Sequence, residues 1–343
     1  MVYINIVKTI LDLNGTINPI FIDSKHTNGT GLCNGSLLYN NGELQMILRN
    51  VEYTLYHCEN RQQFQSRYEG PLSYYHRDND LNLRTTNYYG TIDPETLEIK
   101  QYYKIDTSKL DVKPLWNFIG LEDMRLVFWN NKYYGVGVRR DTTPNGQGRM
   151  EFSELEITNE YVKEVGRNRI EVENKNSYCE KNWMPIKDKP FHFVKWSNPT
   201  EIVKVDLENN IANQVYLSSQ YIPVDNDLRG GSQLIKWDDD CYLSIVHSCK
   251  FTPKNFNGYK DSDYYHNFII WNNDFTIKYI SESFNFMTAK VEFCIGLEQI
   301  DDNIFIAFGF QDNGTYLLKL SKENMNHILH NVLQPLFINV KKE

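Results

Sequence analysis

Apolar positions along this chain fall in short alternating or aromatic-rich runs, broken by clusters of Asn, Asp and Gly. That rhythm predicts strands joined by tight turns, with almost nothing at helical period. The exception is Lys322 to Leu333, where Met325, Ile328, Leu329 and Val332 recur at helical spacing and predict a short C-terminal helix. The opening stretch, Met1 to Leu13, carries Lys8 and Asp12 among its apolar residues and reads as a strand rather than a signal peptide.

One pattern recurs five times: a polar cluster, an apolar strand, a turn, and a second strand that ends in polar residues. The copies span 33–50, 122–140, 181–198, 229–248 and 292–312, the first turning at Asn40-Asn41-Gly42 and the second at Asn130-Asn131. Their spacing is irregular for a solenoid but close to a propeller blade of about 40–50 residues with insertions. The expected fold is therefore all-β: one domain over residues 1–343, a five-bladed β-propeller with a short C-terminal helix.

A tight turn makes each pair antiparallel, so the start of its first strand and the end of its second share one edge. Asn34 then lies beside Arg49 and Asn50, and Asp123 beside Arg139 and Arg140. By the same rule Lys181 lies beside Trp196 and Ser197, Arg229 beside His247, and Glu292 beside Gln311 and Asp312. With each first strand innermost, the five clusters ring one mouth of the central channel. Polar strand ends also arise simply from emergence into water. The mixture of carboxylates with Arg, Lys and His nevertheless suits a polar, partly anionic ligand.

Composition narrows the function classes. A net charge of −8 without any Lys/Arg block argues against nucleic acid and anionic membranes. No apolar run is long enough to span a bilayer. The 23 Tyr and 6 Trp supply rings that suit sugar stacking and strands equally. Six cysteines, Cys33, Cys58, Cys179, Cys241, Cys249 and Cys294, show neither C-x-x-C pairing nor metal-ligand spacing, so free thiols in a reducing cytoplasm and no metal are expected. Asn-x-Ser/Thr triplets at Asn14, Asn28, Asn34 and Asn313 matter only for a secreted protein. Dinucleotide, phosphate-loop, nucleophile-elbow and zincin motifs are all absent.

Within the ring, strand alternation sends Asp123 and Arg125 to one face and Glu122 and Met124 to the other. Asp123 near an arginine stays ionised unless burial opposes it, whereas a general acid needs a raised pKa; an ion pair locking two blades is the structural alternative. Arg229-Gly230-Gly231-Ser232-Gln233 offers a guanidinium followed by backbone open to a ligand, or else a bulge. His247 ends the fourth hairpin, either as an oxyanion or proton partner or as a satisfied core histidine.

These motifs resemble glycoside hydrolase family 130, five-bladed propellers that include mannoside phosphorylases and β-1,2-mannosidases, and the related glycosyltransferase family 108. Gly120-Leu-Glu-Asp-Met-Arg125 is similar to the family's G-x-E-D-P-R, whose Asp is the proton donor. The segment from Leu228 to Lys236 and the run from Cys241 to His247 resemble its glycine-rich stretch and its Y-H-G, whose His binds phosphate. Phe308-Gly-Phe-Gln-Asp312 resembles its Y-G-A-A-D. Departures are Met124 for the family's Pro, Ser232 and Gln233 for a proline-rich stretch, and Ser248 for Gly.

The resemblance implies an enzyme that transfers a glycosyl, mannosyl-like unit with inversion, as a phosphorylase or a sugar-nucleotide-dependent transferase. Asp123 would be its acid/base. Arg139, Arg140, Lys181, Arg229 and His247 would hold phosphate or diphosphate. Asn34, Arg49, Glu122, Arg125, Trp183, Ser232, Glu292 and Asp312 would bind the sugar, with Trp183 as a stacking platform. Inorganic phosphate or a sugar nucleotide would be the co-substrate and no cofactor is implied. A sugar or glycan is the expected partner, and a homo-oligomer is left open. Two further readings stand beside this one: an inverting hydrolase using Glu292 or Asp312 to activate water, and a non-catalytic glycan-binding propeller.

Overall fold

In the computed structural model, which describes residues 3–27, 30–56, 73–76, 82–224, 227–254 and 260–339, each of the five hairpins forms and begins a four-stranded antiparallel blade. Blade I comprises Leu32–Asn40, Glu43–Val51, Leu83–Ile92 and Ile99–Asp106, and blade II comprises Leu121–Trp129, Lys132–Arg139, Arg149–Ile157 and Val162–Arg169. Blade III runs Met184–Pro185, His192–Ser197, Thr200–Asp206 and Ile211–Leu217. Blade IV runs Ile235–Asp238, Cys241–Lys254, Lys260–Asn272 and Ile277–Ser281. Blade V takes Glu292–Ile300, Asn303–Phe310 and Gly314–Ser321, and receives its outer strand from the N-terminus: Thr16–Pro19 pairs antiparallel with it, Ile17 opposite Leu318. That exchange closes the ring by joining the two ends of the chain.

Apolar side chains fill the seams between neighbouring blades. Trp129, Phe152, Trp183 and Phe193 pack between blades II and III, and Leu243, Phe268, Phe284 and Phe308 between IV and V. Burying each such side chain stabilises the seam by about 1.5–3 kcal/mol. At the axis the inner strands approach closely, and a Cβ on Gly296 would sit 2.6 Å from the Gly35 carbonyl oxygen.

The start of the chain differs from its expected strand. Only Ile4–Asn5 is extended; Ile6–Asp12 is a helix capped by the Asn5 side chain, which accepts from the Lys8 amide. Ile6, Val7 and Ile10 lie on one buried helical face, a pattern too short to separate from a β-branched strand by sequence. At the other end, Lys322–His327 is α-helical and Ile328–Val332 continues as a π-turn. Among the described residues, no helix is long and apolar enough to cross a membrane. Cys33, Cys179, Cys241, Cys249 and Cys294 are free thiols. Cys58 and the Asn28 triplet lie outside the described residues.

Candidate functional site

Three positions in or just before an inner strand share an unusual backbone. Asn34, Asp123 and Asn182, each second in its blade's polar cluster, have φ of 51°, 51° and 61°. Asn and Asp tolerate this left-handed region better than other side-chain-bearing residues. In blades I and II the strand register shifts here, between Cys33 and Ser36 and between Glu122 and Arg125. Such a bulge re-aims the side chains that follow it. The expected alternation therefore fails: Glu122 and Asp123 both turn to Arg49 instead of parting to opposite faces.

Arg49 stands at the end of the second strand of blade I, 5% exposed. Its guanidinium donates to Asp123 Oδ1 at 2.9 Å and to Thr85 Oγ1 at 3.1 Å, and lies 3.6 Å from Glu122 Oε2. Asn34 Nδ2 donates to the same Asp123 oxygen at 2.8 Å. Burial disfavours the charge on Arg49, but Tyr53, Asp123 and Glu122 around it hold it firmly protonated.

The two carboxylates are pushed apart. Burial raises Asp123, yet Arg49, Asn34, Arg125 and Lys181 outweigh it and leave its pKa below the usual aspartate value. For Glu122 burial wins over Arg49, and the Asp123 charge adds to it, so its pKa is raised. Adjacent carboxylates with opposed shifts mark candidate acid/base groups. Glu122 Oε1, Asn34 Oδ1 and Asn182 Oδ1 are buried without hydrogen-bond partners in the protein, which leaves three acceptors for a ligand's donors.

A cationic arc completes the mouth. Exposed Lys181 acts electrostatically on Glu122, Asp123 and His247. Arg140 donates to the Gly146 carbonyl and to Tyr178 Oη, with its guanidinium carbon 4.8 Å from the Phe118 ring centre, and its charge reaches Glu122. Arg229 pairs through its backbone with His247 and through its side chain with Asp227 at 3.0 Å. Gly230 lets this segment close in, because a Cβ there would meet the Asn182 carbonyl oxygen at 1.8 Å. Asp312, with φ of 50°, receives the Tyr53 hydroxyl at 3.3 Å. Asn34, Arg49, Glu122, Asp123, Arg140, Lys181, Arg229, His247 and Asp312 thus gather around one mouth.

Five expected site residues are placed elsewhere. Trp183 is 1% exposed in the seam between blades II and III, its indole N–H directed to Glu180, so no ring face meets a ligand. Glu292 is wholly buried and accepts the backbone N–H groups of Phe286, Met287 and Ala289, clamping that loop. Ser232 is likewise buried, accepting from the Ile245 amide and donating to the Gln233 carbonyl. Arg125 is spent on the Gly231 and Asp123 carbonyls beneath the site, where burial lowers its pKa to about 10. Arg139, one residue from Arg140 and on the opposite strand face, pairs with Glu151 and Asp141 between blades I and II.

His247 carries no positive charge in this arrangement. Its Nδ1 is 3.0 Å from the Gly230 carbonyl, which makes Nδ1 the protonated nitrogen, and its ring stacks on Tyr264 at 5.4 Å. Burial, then His266, Arg229 and Lys181, push its pKa well down. Sequence reasoning missed Asn182, Tyr53 and Tyr264; the recurrence of Asn or Asp at the second cluster position was the available signal for the first.

His266, opposite His247 in the sheet, is wholly buried against Phe284 and Phe286, and burial drives its pKa down to about 3 from an ordinary 6.5. Between those values the unfolded chain binds the proton and the folded chain does not, so stability falls as pH drops through that window, by up to about 1.4 kcal/mol per pH unit. Urea unfolding of His266→Leu between pH 6.5 and 4.5 should show a shallower loss than the wild type; an unchanged slope would remove His266 from this role.

The protein is a five-bladed propeller with paired carboxylates and a cationic arc at one mouth of its channel. No protein-family model matches the sequence, and no curated protein is similar to it. Solved structures are. The fold is similar to that of β-1,2-mannobiose phosphorylase from Listeria innocua, at 13% identity over 91% of this chain and 93% of that one, with a TM-score of 0.53. A glycosyl hydrolase from Bacteroides ovatus aligns at 9% identity over 86% of this chain and 85% of that one, TM-score 0.54. Equally similar, with 10% identity, the same coverage of 86% and 85% and a TM-score of 0.54, is a structure from work on glycoside hydrolase family 130, whose mannoside phosphorylases include hydrolases targeting β-1,2 mannosidic linkages in Candida mannan. At these identities the likeness is one of fold.

Proposed function

We propose that this chain is a carbohydrate-active enzyme that moves a mannosyl-like unit between a phosphate-bearing group and an acceptor hydroxyl. The observation that carries this reading is Asp123, largely shielded from solvent and held ionised by Arg49 and Asn34 in the field of Lys181, with Arg140 acting on its neighbour Glu122 and Arg229 on His247. An ionised Asp123 is ready to take a proton. In the synthetic direction the acceptor oxygen attacks the anomeric carbon, the bond from that carbon to the phosphate oxygen breaks, and its electron pair leaves with the phosphate. The acceptor proton passes to Asp123 and the anomeric centre inverts.

The cationic arc stabilises the departing charge. A bound phosphate also offsets the positive field that lowers Asp123, raising its pKa toward the range in which proton transfer is effective. Run in reverse, the same groups cleave a glycoside with phosphate, Asp123 then donating its proton. Inorganic phosphate and a nucleotide diphosphate make similar demands on the arc, so both donor types fit. The fold shared with mannoside phosphorylases supports the choice of sugar. Plain hydrolysis loses one of its two expected bases, because Glu292 is committed to its loop.

Anything bound only by the folded chain raises its melting temperature. Phosphate or GDP-mannose at one hundred times its Kd should stabilise by about 2.7 kcal/mol, and Lys181→Ala should shrink that shift. A melting temperature indifferent to phosphate, nucleotide-sugars and mannosides alike would overturn the proposal.

A further inference from the structure

Behind the strand that carries Glu122 and Asp123, a cavity of about 290 Å³ lies between blades I and II. Three polar atoms on its lining residues are buried without hydrogen-bond partners: Asn87 Oδ1, Asp141 Oδ1 and Ser153 Oγ. These residues are 8%, 6% and 1% exposed. Leaving one buried polar group unpaired costs about 1–3 kcal/mol, so three around one cavity point to an occupant.

The chemistry of that occupant follows from the wall. Arg84, Lys104 and Arg139 are matched by Asp111, Asp141 and Glu164, so the lining carries no net charge and recruits no ion. Two of the three unpaired atoms are acceptors only, and they require donors from the occupant. Pro114, Ile119 and Leu121 add an apolar surface. Hydroxyl donors combined with a C–H face describe a neutral polyhydroxylated ring. The volume, at the lower edge of ligand pockets of about 300–1,000 Å³, fits one ring and not a chain.

We propose that this cavity is a second binding site, separate from the mouth, for a single neutral polyhydroxylated ring such as a monosaccharide or a cyclitol. Its occupant joins the two side chains that steady the neighbouring strand: Asn87 Nδ2 donates to the Leu121 carbonyl at 2.8 Å, and Asp141 Oδ2 accepts from the Gly120 amide at 2.9 Å. The site does not depend on the proposed reaction, and its failure would leave that reading standing.

The test uses the full chain with D-mannose and, separately, myo-inositol. Crystals soaked in either compound should show a continuous ring bonded to Asn87 Oδ1 and Asp141 Oδ1. Calorimetric titration should show Ser153→Val, which places methyl groups in the cavity, weakening that binding at least tenfold while the phosphate-induced thermal shift at the mouth is kept. Discrete waters alone in the cavity at saturating concentrations of both compounds would overturn the site. So would a Ser153→Val protein that binds like the wild type. The wild-type soak decides the matter by itself if the variant does not fold.

Discussion

Asp123→Asn should reduce glycosyl transfer by about 10²–10⁴-fold, the range associated with a positioned acid/base group, while the protein stays folded. The amide keeps the shape of the side chain and its contact with Arg49, and Glu122 remains 3.6 Å from that guanidinium to balance it. What is lost is the ability to hold the proton. Initial rates with a phosphate-activated donor, set beside a thermal melt, separate the two effects. Turnover close to wild type would remove Asp123 from the acid/base role and shift attention to Glu122, whose raised pKa and unpartnered Oε1 make it the alternative proton carrier.

Arg49→Met should be the most destabilising single change at the site. Removing one partner of a buried charge pair costs about 3–5 kcal/mol, because the other is left uncompensated. Here two carboxylates are left, Asp123 at 2.9 Å and Glu122 at 3.6 Å from the missing group. Without Arg49 the pKa of Glu122, already raised by burial, climbs further and that of Asp123 rises from its depressed value, so the deficit is largest at neutral pH and shrinks as they protonate. Urea unfolding at pH 7.5 and pH 5 measures this. A variant as stable as wild type at both values would show that Arg49 does not neutralise the pair.

Much of the fold was legible because propeller hairpins announce themselves locally. Turns such as Asn40-Asn41-Gly42 and Asn130-Asn131 sit between alternating runs, and antiparallel pairing then dictates which polar ends meet. The N-terminal contribution to blade V was not legible, since pairing of Ile17 with Leu318 is set by ring closure and leaves no mark on neighbouring residues. Within the site, the sequence separates poorly between polar side chains that face a ligand and those that hold backbone. Glu292 and Ser232 end up satisfying amides, and Trp183 fills a seam, although each stands at the start of a hairpin like Asp123.

The decisive local event is the bulge at Asp123. Strict alternation separates Glu122 from Asp123, and only the left-handed φ of 51° brings both to Arg49. Asp at that position thus answers a backbone demand as well as a chemical one. The same demand accounts for Asn34 and Asn182 at equivalent points of two other blades.

The central claim, that Asp123 and the cationic arc exchange a mannosyl-like unit between phosphate and a hydroxyl, is tested most directly by ³¹P NMR. The full chain is incubated with mannose as acceptor and either mannose 1-phosphate or GDP-mannose as donor. One donor should release inorganic phosphate or GDP as a mannoside forms, and Asp123→Asn should stop the release. Both donors remaining intact while water cleaves mannosides to free mannose would contradict it.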